Sequence, residues 1–418
     1  MAAALTPADR RAYAANIRRF YLYKFLNNLH LWLPIWVLYL QQTRGLSLTQ
    51  VTLLEAPFWL VIVLSEVPTG AVADRWGRKV SLLLGCLIYA VAIAIFGIAE
   101  NFPLIMLSYL TWGVSMTLSS GADSALAYES LAALGREHEF RKVIGRAQAC
   151  MIGAALLGLL LGAPLAAATS LTVPIFTGSA VGLLAALVVL SLREPPRHEQ
   201  EAHLPYLQII RDAARFTWRH PSLRAMLALQ AVVMVTSMVS VIFVQPFMVE
   251  YGVPVRDFGL LTAPLRIFSI LGSLMAYRLV ARAGEQRVTY ALAIGCVAAM
   301  LVLGLLPSVV AIVMFAVLGF CNATFDPVAR DFINRHSPQH MRATLGSVAQ
   351  MTSGALLMIA APLTGAVADR TSLQTMFLFS AIALAILTAG SLAAWTAAIR
   401  REQHEDITSQ PEPVASNR

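Results

Sequence analysis

Long apolar runs, interrupted by short clusters of Gly, Pro and charged residues, set the pattern of this chain. A bilayer core is spanned by roughly 20 apolar residues of helix. Twelve runs of that kind fall at 20–40, 48–71, 80–99, 102–127, 143–168, 171–192, 223–248, 259–280, 288–306, 309–329, 345–367 and 373–398. They lack the period-two alternation of barrel strands, and backbone groups inside lipid must satisfy one another, so each run is predicted to be a helix. The fold class that follows is an all-α polytopic membrane protein.

Composition agrees. The 418 residues are 58% hydrophobic and 13% charged, with a mean hydropathy of +0.67, more apolar side chain than a soluble core of this size can hide. Basic residues orient the spans. With the N-terminus inside, of 31 Lys and Arg only Arg44, Arg256 and Arg370 fall outside and only Lys24 and Arg266 fall within spans. The net charge of +8 is therefore a topological signal and not a nucleic-acid footprint. The first run, with Lys24, Asn27, Asn28 and His30, is unlike a signal-peptide core and is expected to stay as its own insertion signal. Cys86, Cys150, Cys296 and Cys321 all lie in apolar runs without paired spacing, so they read as packing residues, and no metal site is expected.

The longest charged stretch, near Ser191 to Ser222, divides the chain. The organisation expected is a six-helix bundle over 1–192, a cytoplasmic linker over 193–222, a second six-helix bundle over 223–400 and a disordered cytoplasmic tail over 401–418. Within the linker, residues 204–219 form an interfacial helix with Leu204, Leu207, Ile210, Ala214 and Trp218 on one face and Arg211, Arg215 and Arg219 on another. The halves look related: Ala163-Pro164-Leu165 matches Ala361-Pro362-Leu363, and Arg141 to Gly145 matches Arg342 to Gly346.

Between the second and third runs lies Gly70-Ala71-Val72-Ala73-Asp74-Arg75-Trp76-Gly77-Arg78-Lys79. It fills every position of Gly-x-x-x-Asp-Arg-x-Gly-Arg-Arg/Lys and resembles the loop between helices 2 and 3 of the major facilitator superfamily. The resemblance implies twelve transmembrane helices in two pseudo-symmetric six-helix bundles, both termini cytoplasmic, and transport by alternating access. It also implies that Asp74 faces the N-terminal end of helix 11, where a carboxylate is favoured, and that Arg78 pairs with an acid at the cytoplasmic end of helix 4. Glu129 is the best match for that acid and Asp123 the second. Gly70, which removes a side chain where another helix approaches, and Gly77, which permits the turn, join Asp74, Arg75, Arg78, Lys79, Asp123 and Glu129 as a candidate cytoplasmic gate.

Charge inside a bilayer is costly and tends to face a bundle interior. Lys24, Glu55, Glu66, Asp123, Arg266 and Asp326 all fall in the first or second helix of each group of three, as expected where third helices face lipid. Glu55, Glu66 and Asp326 are the candidates for carrying a proton. Lys24, about one turn from the cytoplasm, is expected to snorkel. Asn27 and His30, three apart on helix 1, Gln230 in helix 7, Arg266 in helix 8, Asn322 in helix 10 and Gln350 in helix 11 are substrate-cavity candidates, with Gln148 and Gln245 able to add hydrogen bonds. Arg266 can meet an anionic substrate or neutralise Glu55; Asn322, Asp326 and Arg330 recur at intervals of four with an internal ion pair available.

The function expected is proton-coupled efflux of drug-like or amphipathic small molecules across the cytoplasmic (inner) membrane by a monomer, with no cofactor beyond the coupling proton. The alternative is uptake or facilitated passage of a polar metabolite; a membrane-embedded enzyme or sensor is remote, since no catalytic or nucleotide motif is present. One departure counts against the antiporter reading. Drug antiporters of the superfamily usually carry Gly-x-x-x-Gly-Pro-x-x-Gly-Gly in helix 5, whereas this chain has Gly158-Leu159-Leu160-Leu161-Gly162-Ala163-Pro164-Leu165-Ala166-Ala167. Helix 4 also lacks the arginine of many proton-coupled relatives, so proton coupling rests on the buried acids alone.

Overall fold

The structure is a computed structural model that describes residues 6–195, 206–338 and 341–408. Its α-helices are α1 (Pro7–Leu26), α2 (Trp36–Gln42), α3 (Leu48–Leu53), α4 (Glu55–Trp76), α5 (Arg78–Ile98), α6 (Phe102–Ser119), α7 (Ala122–Ala133) and α8 (Phe140–Ala168), followed by α9 (Val173–Leu190), α10 (Tyr206–Arg219), α11 (Pro221–Glu250), α12 (Phe258–Ala283), α13 (Glu285–Leu305), α14 (Val313–Arg335), α15 (Arg342–Arg370) and α16 (Leu373–Thr408). Among the described residues, eleven helices are long and apolar enough to cross a membrane.

The first of the twelve runs is where the count differs. Residues 20–40 are not one helix: α1 stops at Leu26, an irregular stretch and a single turn over Leu33–Ile35 follow, and α2 begins at Trp36. Pro34 has no backbone N–H to continue an α-helical ladder, and Asn27 ends α1. Asn27 and His30 therefore share no helical face. The tail also differs, since α16 continues as helix to Thr408; residues 409–418 lie outside the described residues. The linker does contain a helix, α10, with Ala214, Arg215, Trp218 and Arg219 exposed. Leu204 falls outside the described residues, as do the side chains of Leu207 and Ile210.

By mutual packing the chain falls into two compact units. The first comprises Met1–Ala202, Val241–Ile267 and Ala361–Thr371; the second comprises His203–Ser240, Phe268–Ala360 and Ser372–Arg418. Segments of α11, α12 and α15 thus belong with the first unit, which division of the chain at the linker alone does not anticipate. The first unit has a core of Phe20, Tyr23, Leu82, Cys86, Leu126, Leu131 and Val189. All four cysteines are free thiols.

Glycines allow the tightest approaches in the first unit. A Cβ on Gly162 would overlap the Leu31 carbonyl oxygen, one on Gly158 would lie 2.9 Å from the His30 carbonyl oxygen, and one on Gly178 would lie 2.6 Å from the Trp32 ring. The unwound stretch after α1 is therefore seated against the backbone of α8. Gln245 of α11 completes the seat. Its side-chain oxygen accepts from the N–H groups of Val37 (3.0 Å) and Leu38 (3.3 Å) at the start of α2, while its amide nitrogen donates to the Leu33 carbonyl (3.0 Å). A broken helix needs partners for the backbone groups it frees, and one glutamine supplies three.

Candidate functional site

The charged cluster after α4 is organised around Arg78. Gly77 holds φ at +109°, which ends α4 and starts α5 without a linker. Arg78 Nη1 lies 2.7 Å from Asp74 one helical turn back, and its Nε lies 3.5 Å from Glu129 of α7. Arg78 and Glu129 are both largely buried at 16% and 15% side-chain exposure, while Asp74 is 62% exposed. Arg75 and Lys79 flank the cluster. The remaining acid is one the sequence reading overlooks: Glu194, just past α9, accepts from the backbone N–H groups of Arg78 (2.7 Å) and Lys79 (2.8 Å) and so caps α5. Its signal in the sequence is an acid directly before Pro195-Pro196, at a point where the sixth run ends.

Three expectations about this region need correcting. Asp123 does not meet Arg78; it forms a 2.6 Å ion pair with Lys24, joining α7 to α1. Lys24 consequently does not snorkel, because a partner in the same layer is available and both side chains are under 20% exposed. Gly70 makes no close packing in this conformation, since a Cβ there would meet nothing within 4 Å among the described residues.

A second copy of the motif's first six residues, also overlooked by the sequence reading, lies at the end of α15. Gly365-Ala366-Val367-Ala368-Asp369-Arg370 is identical to Gly70-Ala71-Val72-Ala73-Asp74-Arg75. Here the glycine is engaged: a Cβ on Gly365 would overlap Thr52 Oγ1 and lie 2.7 Å from the Leu48 carbonyl oxygen. Asp369 accepts from Leu48 N–H (2.9 Å), Thr49 N–H (2.7 Å) and the Thr49 hydroxyl (2.6 Å), capping α3.

Of the proton candidates, Glu55 is buried at 8% exposure in the first turn of α4. Trp59 and Tyr109 stand beside its carboxylate, and no ion pair joins it to Arg266 or any other base among the described residues. From Tyr109 a chain of rings runs on: Trp112 lies 5.9 Å from Tyr109 and 4.8 Å from Phe58, Trp112 lies edge-on to Trp32 at 5.3 Å, and His30 sits 5.7 Å from both Trp32 and Tyr89. The Trp32 indole donates to the Tyr89 hydroxyl at 3.0 Å. Glu66 and Arg266 are exposed and join no ion pair among the described residues. Asn27 stands at the end of α1, outside this ring chain.

In the second unit the stripe on α14 is present. Arg330 pairs with Asp326 at 2.8 Å, and Asn322 donates to Thr236 Oγ1 at 3.0 Å and to the Leu318 carbonyl. Gln230 and Gln350 meet Arg330 and Asn334 in one cavity of about 280 Å³ between α11, α14 and α15. Gln148 is exposed on α8. Among the described residues no group of three His, Cys, Asp or Glu gathers as a metal site would require.

Comparison with known proteins bears on these features together. Residues 22–356 and 232–417 match the family profile of the Major Facilitator Superfamily. Multidrug resistance protein 1 of Bacillus subtilis (strain 168) is 28% identical over 160 residues, 38% of this chain and 40% of that protein. Quinolone resistance protein NorA of Staphylococcus aureus (strain Mu50 / ATCC 700699) is 26% identical over 165 residues, 40% of this chain and 41% of that protein. These matches span about two fifths of each relative. Among solved structures, the nucleoside transporter NupG (D323A mutant) aligns with a TM-score of 0.79 at 16% identity, over 91% of this chain and 99% of that one. A bacterial homolog to the human lysosomal transporter Spinster, in an inward-facing and unoccupied conformation, aligns at 0.71 and 16% identity, over 95% and 99%. The chain is a multi-pass membrane protein and belongs to the major facilitator superfamily.

Proposed function

We propose that this chain is a secondary active transporter of the cytoplasmic membrane that expels amphipathic, drug-like compounds in exchange for protons. The observation that carries the reading is the setting of Glu55: a buried carboxylate without a basic partner among the described residues, with Trp59 and Tyr109 beside it and the rings of Phe58 and Trp112 packed on those two. Aromatic faces attract organic cations and stack on flat apolar ones, and a carboxylate among them can hold either a proton or the positive charge of a solute. Exchange follows if the two cannot be held together. The names of the partial relatives, a multidrug resistance protein and a quinolone resistance protein, support the same direction.

In this reading the two identical hexapeptides serve as latches on opposite membrane faces, Asp74 with Arg78 and Glu129 on the cytoplasmic face and Asp369 with the start of α3 on the outer one. The broken stretch between α1 and α2 forms the twelfth crossing. Discontinuous helices of this kind are used by transporters to place backbone groups beside a solute path, and His30 and Trp32 lie at that break.

A second reading, passage of a polar metabolite, is favoured by the cavity of the second unit, whose Gln230, Gln350, Asn334 and Arg330 form the ring of amides and guanidinium that a polar solute requires. Flux assays separate the two. Proteoliposomes with an imposed proton gradient should move ethidium in the first case; under the second, ethidium stays put and a labelled polar solute such as uridine moves.

A further inference from the structure

The 280 Å³ cavity of the second unit, which the second reading takes for a polar solute, has an anion-binding character that neither reading specifies. It opens between α11, α14 and α15, and its polar lining consists of Gln230, Arg330, Asn334, Arg342, Ser347 and Gln350. Two guanidinium groups therefore face a space beside Gly346, where an added Cβ would touch nothing within 4 Å among the described residues. Arg330 is shared with Asp326 at 2.8 Å. Arg342 is not shared with any acid among the described residues; its Nε donates to the Asn334 carbonyl at 3.1 Å, which steers the group and leaves its two terminal nitrogens uncommitted there. Arg335, the next base along α14, is held by Glu285 and Asp331 and so is not available to the cavity.

A second, independent observation points to a ligand. The side-chain oxygen of Gln230 is buried and has no hydrogen-bond partner among the described residues. A buried acceptor left unsatisfied is destabilising, and the space that this residue lines is where a donor can enter. Arg342 is also the first residue of α15, so the unpaired N–H groups of that helix end add to the positive potential.

We propose that this cavity binds a small anion that also carries a hydroxyl or amine: its phosphate or carboxylate between Arg342 and Arg330, its donor on the Gln230 oxygen. A volume near the lower bound of ordinary ligand pockets excludes a whole drug-sized molecule and suits a phosphate ester or an amino-acid-sized anion. Bidentate recognition of a planar or tetrahedral oxyanion is what guanidinium groups do best. Two sources offer this chemistry, a soluble phosphorylated or carboxylated solute and the glycerol-phosphate headgroup of an anionic phospholipid. The inference rests on the cavity alone and holds under either transport reading.

The full chain, purified in detergent, tests it through thermal unfolding in two arms. In one, inorganic phosphate is compared with chloride at equal ionic strength; in the other, the protein is placed in nanodiscs of phosphatidylcholine with or without phosphatidylglycerol. Ligand binding to the folded state raises the midpoint, so phosphate or phosphatidylglycerol should raise it by a few degrees in the wild type. The increment should vanish in R330Q/R342Q and persist in R330K/R342K, which keeps the charge. A shift with phosphate assigns a soluble anion; one with phosphatidylglycerol alone assigns the headgroup. No shift of the wild type in either arm, or an equal shift in R330Q/R342Q, would overturn the proposal. The wild-type arms decide the matter even if the double variant does not fold.

Discussion

Asp369 and Thr49, 320 positions apart in sequence, are joined twice over: one carboxylate oxygen accepts from both the backbone N–H and the hydroxyl of Thr49. The same carboxylate takes Leu48 N–H, so the end of α15 closes the start of α3 as an N-cap supplied from a distant helix. Gly365, four residues earlier, permits the approach because any side chain there would strike Thr52. If this contact is the outer latch, it has to open once per cycle. In a background with the four native cysteines replaced by serine, oxidation of the paired variants Thr49→Cys and Asp369→Cys should stop transport, and a reductant should restore it. Undiminished transport by the cross-linked protein would remove the contact from the cycle. Asp369→Asn should weaken the latch by about 1 kcal/mol, roughly a fivefold shift in the balance of states.

At the other copy of the hexapeptide, Arg78→Ala leaves Glu129 largely buried without this guanidinium. Breaking one side of a buried pair costs more than the pair contributes, so the variant should unfold several degrees below wild type in detergent. Asp74→Asn, at an exposed carboxylate, should leave the midpoint within a degree or two and still reduce transport severely. Comparable losses of stability in both variants would show a structural cluster with no gating role.

Lys24 and Asp123 provide a pair suited to a double-mutant cycle. Lys24→Met and Asp123→Asn each leave one charge in a poorly solvated layer, whereas the double variant removes both. The double variant should recover a large part of the stability lost by either single one. Additive losses would mean that the 2.6 Å pair contributes nothing beyond its separate parts.

The glycines of α8 yield a steric prediction. Gly162→Ala would push a methyl group into the Leu31 carbonyl and displace the unwound stretch; overpacking of this kind costs about 1–3 kcal/mol or more. Gly70→Ala should fold with an unchanged midpoint, because the space beside it is open. Thermal unfolding of the two purified variants reads the contrast directly, and an equal midpoint for both would show that the stretch after Leu26 is not seated as described.

Glu55→Gln keeps the size and hydrogen-bonding reach of the side chain and removes its charge. Transport by this variant should lose its dependence on pH while the protein remains folded. A wild-type pH profile would transfer the coupling role to another acid, with Asp326 the next to test.

Much of this was legible from residue order because bilayer thickness imposes a length on each apolar run, and eleven of the runs correspond to helices long enough to cross. The Asp74–Arg78 pair was legible because its spacing is local, and Glu129, 51 positions from Arg78, because the resemblance implied an acid at that helix end. What escaped is non-local. The capping of α5 by Glu194 spans 116 positions, and the support of α2 by Gln245 spans 208. Gln245 carries no local pattern, and the sign that Glu194 carries, its place before Pro195-Pro196, does not name the distant helix it caps. The break after Leu26 had a local sign, Pro34 within an otherwise continuous run, but prolines are tolerated inside transmembrane helices and α4, α8 and α14 each contain one. Only the long-range partners Gln245, Gly158 and Gly162 distinguish the broken case. The repeated hexapeptide stood in plain view, yet its two copies have opposite packing, and no sequence feature marks which of them is engaged.

The measurement closest to the central claim is gradient-driven flux in a purified system. Proteoliposomes containing the chain, acidic inside and presented with ethidium, should accumulate the dye above protein-free vesicles, lose that accumulation with a protonophore, and show little of it with Asp74→Asn. Accumulation equal to that of protein-free vesicles, with the protein shown to be folded and inserted, would contradict proton-driven drug transport by this chain.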